Sequence, residues 1–134
     1  MITSTCQLEV RYAETDMMGI VYHGNYLPWL EMGRTQLLKE NGIPYTELEA
    51  QGLYLPVIDV SVKYRRPAKY DDRITILTTI SERPLVKIHL AYEVKRGEEL
   101  LATAATTHVF INKTGQAVKA PKTFLDAVAK HFLT

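Results

Sequence analysis

The chain has 134 residues, of which 46% are apolar and 23% charged, so it suits one ordinary globular domain. Its formal net charge of +1 excludes the general basic field on which non-specific nucleic-acid binding depends, and its single cysteine excludes an intramolecular disulfide. No signal peptide precedes residue 6 and no apolar run approaches the roughly 18 residues of a membrane span, so we expect a soluble cytoplasmic protein without stable membrane insertion.

The first predicted element is a strand over Cys6–Ala13, where apolar and polar residues alternate as on a half-buried strand. Glu14–Gly24 is irregular. A helix is predicted over Asn25–Asn41, because Asn25 can cap its first turn, Pro28 is tolerated there, and an Asn-Gly pair ends it. This helix is the only long apolar helix that the sequence predicts.

Four strands and a short C-terminal helix are predicted after the long helix. They cover Ile58–Arg65, Ile74–Ile80, Val86–Val94, Glu99–Asn112 and Thr123–Leu133. Short turns between long strands require antiparallel pairing. Gly33 in mid-helix costs up to about 1 kcal/mol, which close approach by another backbone would explain. The sequence therefore predicts an α+β fold, in which a curved antiparallel sheet wraps around one long helix.

Asp16 lies before the helix, next to the mainly apolar segment Met17–Val21. Partial desolvation there would strengthen its carboxylate as a base or nucleophile, whereas a loop aspartate can equally cap a turn. His23 and Gly24 immediately precede the helix, whose first N–H groups are unpaired and can stabilise an oxyanion. Asp16 and His23 could thus flank one small site, although His23 could instead make only a local hydrogen bond.

The segment between the first strand and the helix resembles a family signature. The matching residues are Val10, Thr15-Asp16, Gly19-Ile20-Val21 and Tyr26. They closely resemble the signature of the 4-hydroxybenzoyl-CoA thioesterase family, including its YbgC-type acyl-CoA thioesterase branch. Glu31, Arg34 and the stretch Val62–Asp72 match that branch too, so the resemblance spans most of residues 6–125.

The resemblance implies a single hotdog domain over residues 1–134, and a homodimer with a continuous sheet or a homotetramer. It implies hydrolysis of acyl-CoA thioesters, with coenzyme A entering as part of the substrate and no separate cofactor. Carried over by position, Asp16 is the catalytic carboxylate and the His23 N–H polarises the thioester carbonyl. Tyr22 and Tyr26 take the motif's aromatic positions near the acyl group.

Further candidates follow from the chemistry of acyl-CoA. The phosphates of coenzyme A require basic side chains, for which the candidates are Arg65, Arg66, Lys69, Arg83 and Lys87. The acyl pocket has as its candidate lining residues Tyr22, Trp29, Leu53, Tyr54 and Val57. A related thioesterase branch uses a helix acid instead of the loop aspartate, but Asp16 already fills that role here, so Glu31 is interpreted as an i,i+3 ion-pair partner of Arg34. No metal site is expected, because no cluster of histidine and cysteine has ligand spacing.

Two rival functions remain open at this point. An enoyl-thioester hydratase or dehydratase of the hotdog type would pair Asp16 with His23. A non-catalytic acyl-thioester-binding module would keep the pocket without needing a base. Within hydrolysis, Asp16 either attacks the thioester carbon, giving a mixed anhydride, or activates a water molecule as a general base.

Overall fold

One antiparallel sheet and one long helix make up most of the computed structural model, which describes residues 1–132. The strands are β1 (Ile2–Glu9), β2 (Val57–Tyr64), β3 (Arg73–Ile80), β4 (Ile88–Arg96) and β5 (Glu99–His108). The helices are α1 (Tyr26–Glu40), α2 (Tyr45–Ala50) and α3 (Lys122–Ala129), with 3-10 turns at Tyr12–Glu14, His23–Asn25 and Lys130–Phe132. The strand order is β1-β3-β4-β5-β2 and every pair is antiparallel, which confirms the predicted sheet. No helix within residues 1–132 is long and apolar enough to span a membrane.

Helix α1 packs across β1 and β3, and Gly33 lies at the point of closest approach. Leu30 and Leu37 on its inner face are fully buried. A Cβ atom at position 33 would overlap Thr78 Oγ1 and would lie 2.9 Å from Ile76 Cγ2. The atoms that approach Gly33 most closely are therefore side-chain atoms of β3, and not the backbone that the sequence suggested. The missing Cβ atom still lets α1 lie close to the sheet.

We expect Gly33→Ala to lower the free energy of unfolding by about 1–3 kcal/mol, because the methyl group must displace β3 side chains. The helix-propensity gain of about 1 kcal/mol offsets only part of this cost. Urea unfolding measures the change. Lys39→Ala, at an exposed position of the same helix, is the control and should change stability by less than about 0.5 kcal/mol. A stabilised Gly33→Ala variant would contradict the packing described above.

The two predicted boundaries around the site differ from the structure. Strand β1 ends at Glu9 rather than Ala13, and Tyr12 is 77% exposed instead of facing inward, because a 3-10 turn follows the strand. Helix α1 begins at Tyr26, and the prediction that Asn25 caps it through its side-chain oxygen is wrong. The preceding 3-10 turn gives Asn25 helical dihedral angles, whereas a capping residue is extended.

The remaining boundaries shift at strand and helix ends. Strand β4 begins at Ile88 rather than Val86, and β5 ends at His108 rather than Asn112. The short helix α2 was not predicted. The C-terminal helix ends at Ala129 and continues as a 3-10 turn, while Leu133 lies outside the described residues. These differences leave the sheet order and the position of α1 unchanged.

Strand β2 is an open edge of the sheet in this chain. Within residues 1–132 it pairs only with β5, and nearly all of its side chains are exposed. Val57, Ile58, Val60 and Tyr64 are each 42–50% exposed although all are large and apolar or aromatic. A long exposed edge carrying apolar side chains is a surface that proteins normally cover.

Candidate active site

A cavity of about 310 Å³ opens beside the N-terminal end of α1. Its lining residues come from the loop after β1, from the start of α1 and from the end of β2. They are Asp16, Met18, Ile20, Val21, His23, Tyr26, Tyr64, Arg65, Arg66 and Pro67. Five residues predicted from the sequence as catalytic or substrate-binding thus share one cavity with apolar walls and a basic rim.

Asp16 caps its own loop and also lines the cavity. Its Oδ1 accepts a hydrogen bond from the Met18 N–H at 2.8 Å, which is an Asx-type turn. Its backbone N–H donates to the Ile20 carbonyl at 2.8 Å, and Gly19 closes the turn with a φ of +79°. Within residues 1–132, Asp16 Oδ2 has no hydrogen-bond donor. One carboxylate oxygen therefore holds the loop while the other remains available for chemistry.

The apolar neighbours of Asp16 do not all shield it. Met17 and Met18 are exposed on the surface, and only Val21 of this segment is buried. Asp16 itself is half-buried. Within one chain, Met17 and Met18 therefore do not supply the desolvation that was expected for the Asp16 carboxylate.

Glu14 fixes the Asp16 loop to α1, and the sequence analysis did not identify it. Its buried carboxylate accepts from the Trp29 indole N–H and from the Arg11 N–H, each at 2.8 Å. Its carbonyl accepts from the Tyr22 N–H and from Asn25 Nδ2. An isolated acid in an irregular segment gives no periodic signal, so this role becomes visible only once the loop and the helix are brought together.

We expect Glu14→Gln to lower the free energy of unfolding by about 1–3 kcal/mol, because two charge-assisted hydrogen bonds weaken and the buried amide acquires donors with no acceptor. Thermal or urea unfolding measures it. Glu9→Gln is the matched control: Glu9 makes only an exposed ion pair with Arg73, worth less than about 1 kcal/mol. Equal effects of the two substitutions would show that Glu14 is not an anchor.

His23 begins the 3-10 turn that leads directly into α1. Its carbonyl accepts a hydrogen bond from the Tyr64 hydroxyl at 2.7 Å, which ties β2 to this turn. The backbone N–H groups of His23 and Gly24 donate to no acceptor in the described part of the chain. Free N–H groups at a helix start attract negative charge, as an oxyanion site requires.

Two tyrosines form the wall between the turn and β2. The Tyr26 hydroxyl accepts from the Ala68 N–H at 3.2 Å, and its ring meets that of Tyr64 edge-to-face with centroids 5.0 Å apart. Burial raises the pKa of both phenols above their ordinary value, so both are neutral at neutral pH. Tyr22 is half-exposed and packs on the His23 ring at a centroid distance of 4.3 Å, outside the cavity lining.

The other predicted binding residues are spread over the molecule. Arg65 and Arg66 line the cavity, and Arg66 forms an ion pair with Glu99. The backbone of Lys69 forms a β-bridge with Ile20, but Lys69 is not among the lining residues. Arg83 and Lys87 lie beyond the far end of β3, about 24 Å along the strand from the loop. The structure therefore brings two of the five basic candidates to this cavity within one chain.

The predicted acyl-pocket residues separate into two places. Trp29 is 1% exposed and lies in the core, where its N–H is held by Glu14. Leu53, Tyr54 and Val57 line a neighbouring cavity of about 550 Å³. Arg34 lines it as well, and the predicted Glu31–Arg34 ion pair is absent from residues 1–132, because Arg34 turns towards two tyrosine hydroxyls instead.

Comparison with known proteins adds relatives that match most of the chain. Residues 10–128 match the model of the thioesterase-like superfamily. A putative acyl-CoA thioesterase of Bacillus subtilis, YneP, is 40% identical over 84% of this chain and 83% of its own length. The acyl-CoA thioester hydrolase YbgC of Escherichia coli is 29% identical over 73% of each chain. The crystal structure of a DHNA-CoA thioesterase from Staphylococcus aureus superposes with a TM-score of 0.93 at 31% identity, covering 98% of this chain and 92% of that one.

Proposed function

Since this chain belongs to the thioesterase-like superfamily and has the hotdog fold, we propose that it is an acyl-CoA thioesterase. Its substrate would be a thioester between an acyl group and coenzyme A, and its products the free acid and coenzyme A. The observation that carries the proposal is the shared cavity of Asp16 and His23, in which one Asp16 oxygen and the His23 N–H are both without partners in residues 1–132. The names of the relatives support the same reaction.

In this proposal Asp16 supplies the carboxylate and the turn before α1 supplies the oxyanion site. As the carbonyl carbon becomes tetrahedral, its oxygen gains negative charge that the His23 N–H can stabilise. One such donor is worth about 3 kcal/mol of barrier in measured cases. The free Asp16 oxygen is on a loop fixed by Glu14, so it is held in place before substrate arrives.

Two routes use the same carboxylate. As a nucleophile, Asp16 forms a bond to the acyl carbon and the C–S bond breaks, so coenzyme A leaves as thiolate and takes up a proton. Water then opens the mixed anhydride and restores the carboxylate. As a general base, Asp16 removes a proton from water while that water attacks the same carbon. The C–S bond then breaks, and coenzyme A leaves with the proton that Asp16 returns. Isotopic oxygen from labelled water enters the Asp16 side chain only on the first route, and there only when water attacks the aspartyl carbonyl of the anhydride.

The basic rim of the cavity is proposed to bind the phosphates of coenzyme A. Arg65 is the first candidate, because it lines the cavity and makes no ion pair within residues 1–132. Arg66 shares its charge with Glu99 and would contribute less. Lys69, Arg83 and Lys87 remain candidates for phosphates that extend beyond this rim.

A hydratase using the same pair of residues is the rival enzyme. Incubation with a 2-enoyl-CoA separates the two activities, because hydration removes the enoyl absorbance and leaves the thioester intact. We expect thiol release, followed with Ellman's reagent, without prior loss of that absorbance. Hydration without thiol release would overturn the thioesterase assignment. Binding with neither change would favour a non-catalytic module.

We also propose that two copies of the chain pair through β2 into a homodimer with one continuous sheet. The exposed edge and its apolar side chains support this pairing, as do the half-exposed Leu27 and Met32 on α1. The homotetramer is the larger assembly implied by the resemblance.

Val60→Lys on the β2 edge should therefore convert the assembly to monomers, because it places a charge in an apolar contact. Light scattering after gel filtration measures the mass. Val86→Lys is the control, since Val86 is 71% exposed on the distant β3–β4 turn. A wild-type monomer, or a Val60→Lys variant with the wild-type mass, would contradict β2 pairing.

A further inference from the structure

Four charged side chains of alternating sign lie beside the basic rim of the Asp16 cavity. Arg66 follows β2 and Glu99 begins β5, whereas Arg96 ends β4 and Asp72 precedes β3. The two oxygens of Glu99 lie 2.5 Å from Arg66 Nη1 and 2.5 Å from Arg96 Nη2. Arg96 Nη1 lies 2.6 Å from Asp72 Oδ2. The Glu99 carboxylate is therefore shared between two arginines.

Arg66 is held much less firmly than Arg96. Its side chain is 65% exposed, and Glu99 is its only ion-pair partner within residues 1–132. Arg96 is 31% exposed and donates to both neighbouring carboxylates and to the Pro67 carbonyl. Hydrogen bonds from Arg66 and Arg96 hold the pKa of Glu99 below its ordinary value, so its charge is present at neutral pH. If Arg66 leaves, Arg96 still neutralises that charge.

Arg66 lies between two cavities. The Asp16 cavity shares Arg65 and Arg66 with a second cavity of about 590 Å³ at the β4–β5 turn. The second cavity is lined by Arg65, Arg66, Glu98, Glu99 and Leu100. A ligand whose reactive end occupies the Asp16 cavity can therefore extend past both arginines into the second one. The charges of the two arginines and the two glutamates cancel there, so an anion gains attraction only where an arginine leaves its glutamate.

These contacts do not involve the edge of β2 that we assign to a second copy of the chain. In the strand order, β5 and β4 lie on the opposite side of β2 from that edge. Glu99 and Arg96 belong to these two strands. The backbone N–H groups of Arg65 and Arg66 also point towards β5, because both donate to the Leu101 carbonyl. Pairing of two copies through β2 therefore leaves the shared carboxylate in place.

We propose that Glu99 competes with the phosphates of coenzyme A for Arg66, so that Arg66 changes partner when the substrate binds. The inference rests on the proposed function and adds a residue that sets the affinity for this substrate class. Phosphate oxygens match the guanidinium fork and carry more negative charge than a carboxylate. An exposed ion pair contributes little stability, so its exchange costs little. Glu99 thereby weakens the binding of coenzyme A, which must leave as a product.

The test is a calorimetric titration of the full chain with free coenzyme A. Glu99→Gln should lower Kd about fivefold, because Arg66 loses its competitor. The matched control is Glu98→Gln, which removes the same charge from the same cavity. Glu98 is exposed and makes no ion pair within residues 1–132, so this variant should change Kd by less than about twofold.

A double-mutant cycle separates competition from simple charge repulsion. In an Arg66→Met background, Glu99→Gln should change Kd by less than about twofold, because there is no arginine left to compete for. A fivefold gain that persists without Arg66 would overturn the proposal, as would equal effects of Glu99→Gln and Glu98→Gln. Normal acyl-CoA hydrolysis by the wild type would not rescue it in either case. A wild-type protein that neither binds coenzyme A nor hydrolyses acyl-CoA would overturn the proposed function as well.

A measurement on the wild type keeps the proposal testable even if a variant does not fold. The Nε–H signals of Arg66 and Arg96 in nitrogen-15 NMR report the surroundings of each guanidinium. We expect saturating coenzyme A to shift the Arg66 signal much more than the Arg96 signal, because only Arg66 changes partner. An unchanged Arg66 signal in the presence of bound coenzyme A would overturn the exchange.

Discussion

Asp16→Asn should lower kcat for acyl-CoA hydrolysis by about 10²–10⁴-fold, because the amide can neither attack the thioester carbon nor take a proton from water. The substitution removes the reactive carboxylate without changing the structure of the loop. Asn retains a side-chain oxygen that can accept from the Met18 N–H, so the turn that Asp16 Oδ1 closes is preserved. The melting temperature and KM should therefore stay close to their wild-type values. Thiol release under saturating substrate measures the effect.

The control for this experiment is Asp126→Asn, which makes the same chemical change at an exposed position of α3. Its kcat should match the wild type. Unchanged turnover of Asp16→Asn would remove Asp16 from the reaction. A fall in kcat accompanied by a large fall in melting temperature would instead mean that the loop had collapsed.

His108 should make the protein less stable as the pH falls from 6.5 towards 4. Burial, helped by the nearby Arg34 charge, lowers the pKa of His108 from 6.5 to about 4. Between pH 6.5 and pH 4, His108 is protonated in the unfolded chain but stays neutral in the folded protein. The free energy of unfolding therefore decreases as the pH falls. A pKa shift of this size corresponds to a loss of stability of about 3 kcal/mol. The loss is complete below pH 4, and there is none above pH 6.5.

Urea unfolding at pH 7 and at pH 4 measures this loss in the wild type and in His108→Gln. The difference between the two pH-dependent losses isolates His108 from the carboxylates that also titrate in this range. His89→Gln, at an exposed position of β4, is the control and should follow the wild type. Equal losses in the wild type and His108→Gln would contradict a neutral buried His108.

Much of the fold follows from periodicity that the sequence displays openly. The alternation of apolar and polar residues predicted the four later strands, and the short turns between them predicted antiparallel pairing. Gly33 indicated where α1 approaches the sheet. The start of β1 was missed because the polar residue Ser4 occupies a buried position where the alternation calls for an apolar side chain. The cap at Asn25 was misjudged because the 3-10 turn before it is fixed by contacts with Glu14, eleven residues away.

The candidate site divides in the same way. Local spacing was enough to place Asp16 and His23 near one helix end, and the cavity unites them with Tyr26, Arg65 and Arg66. Longer-range partners gave no signal. The Arg34–Tyr92 hydrogen bond joins residues 58 positions apart, and only the sheet register brings them together. The i,i+3 spacing of Glu31 and Arg34 allows an ion pair but does not require one. Arg34 instead donates hydrogen bonds to the hydroxyls of Tyr45 and Tyr92.

Hydrolysis of a panel of aliphatic and aromatic acyl-CoAs by the wild-type protein tests most directly whether Asp16 hydrolyses acyl-CoA thioesters. Free acid and free coenzyme A are quantified together for each member, with Asp16→Asn run in parallel. We expect equimolar products from at least one member of the panel and a loss of both products in Asp16→Asn. No product from any member, or equal product from the two proteins, would contradict it.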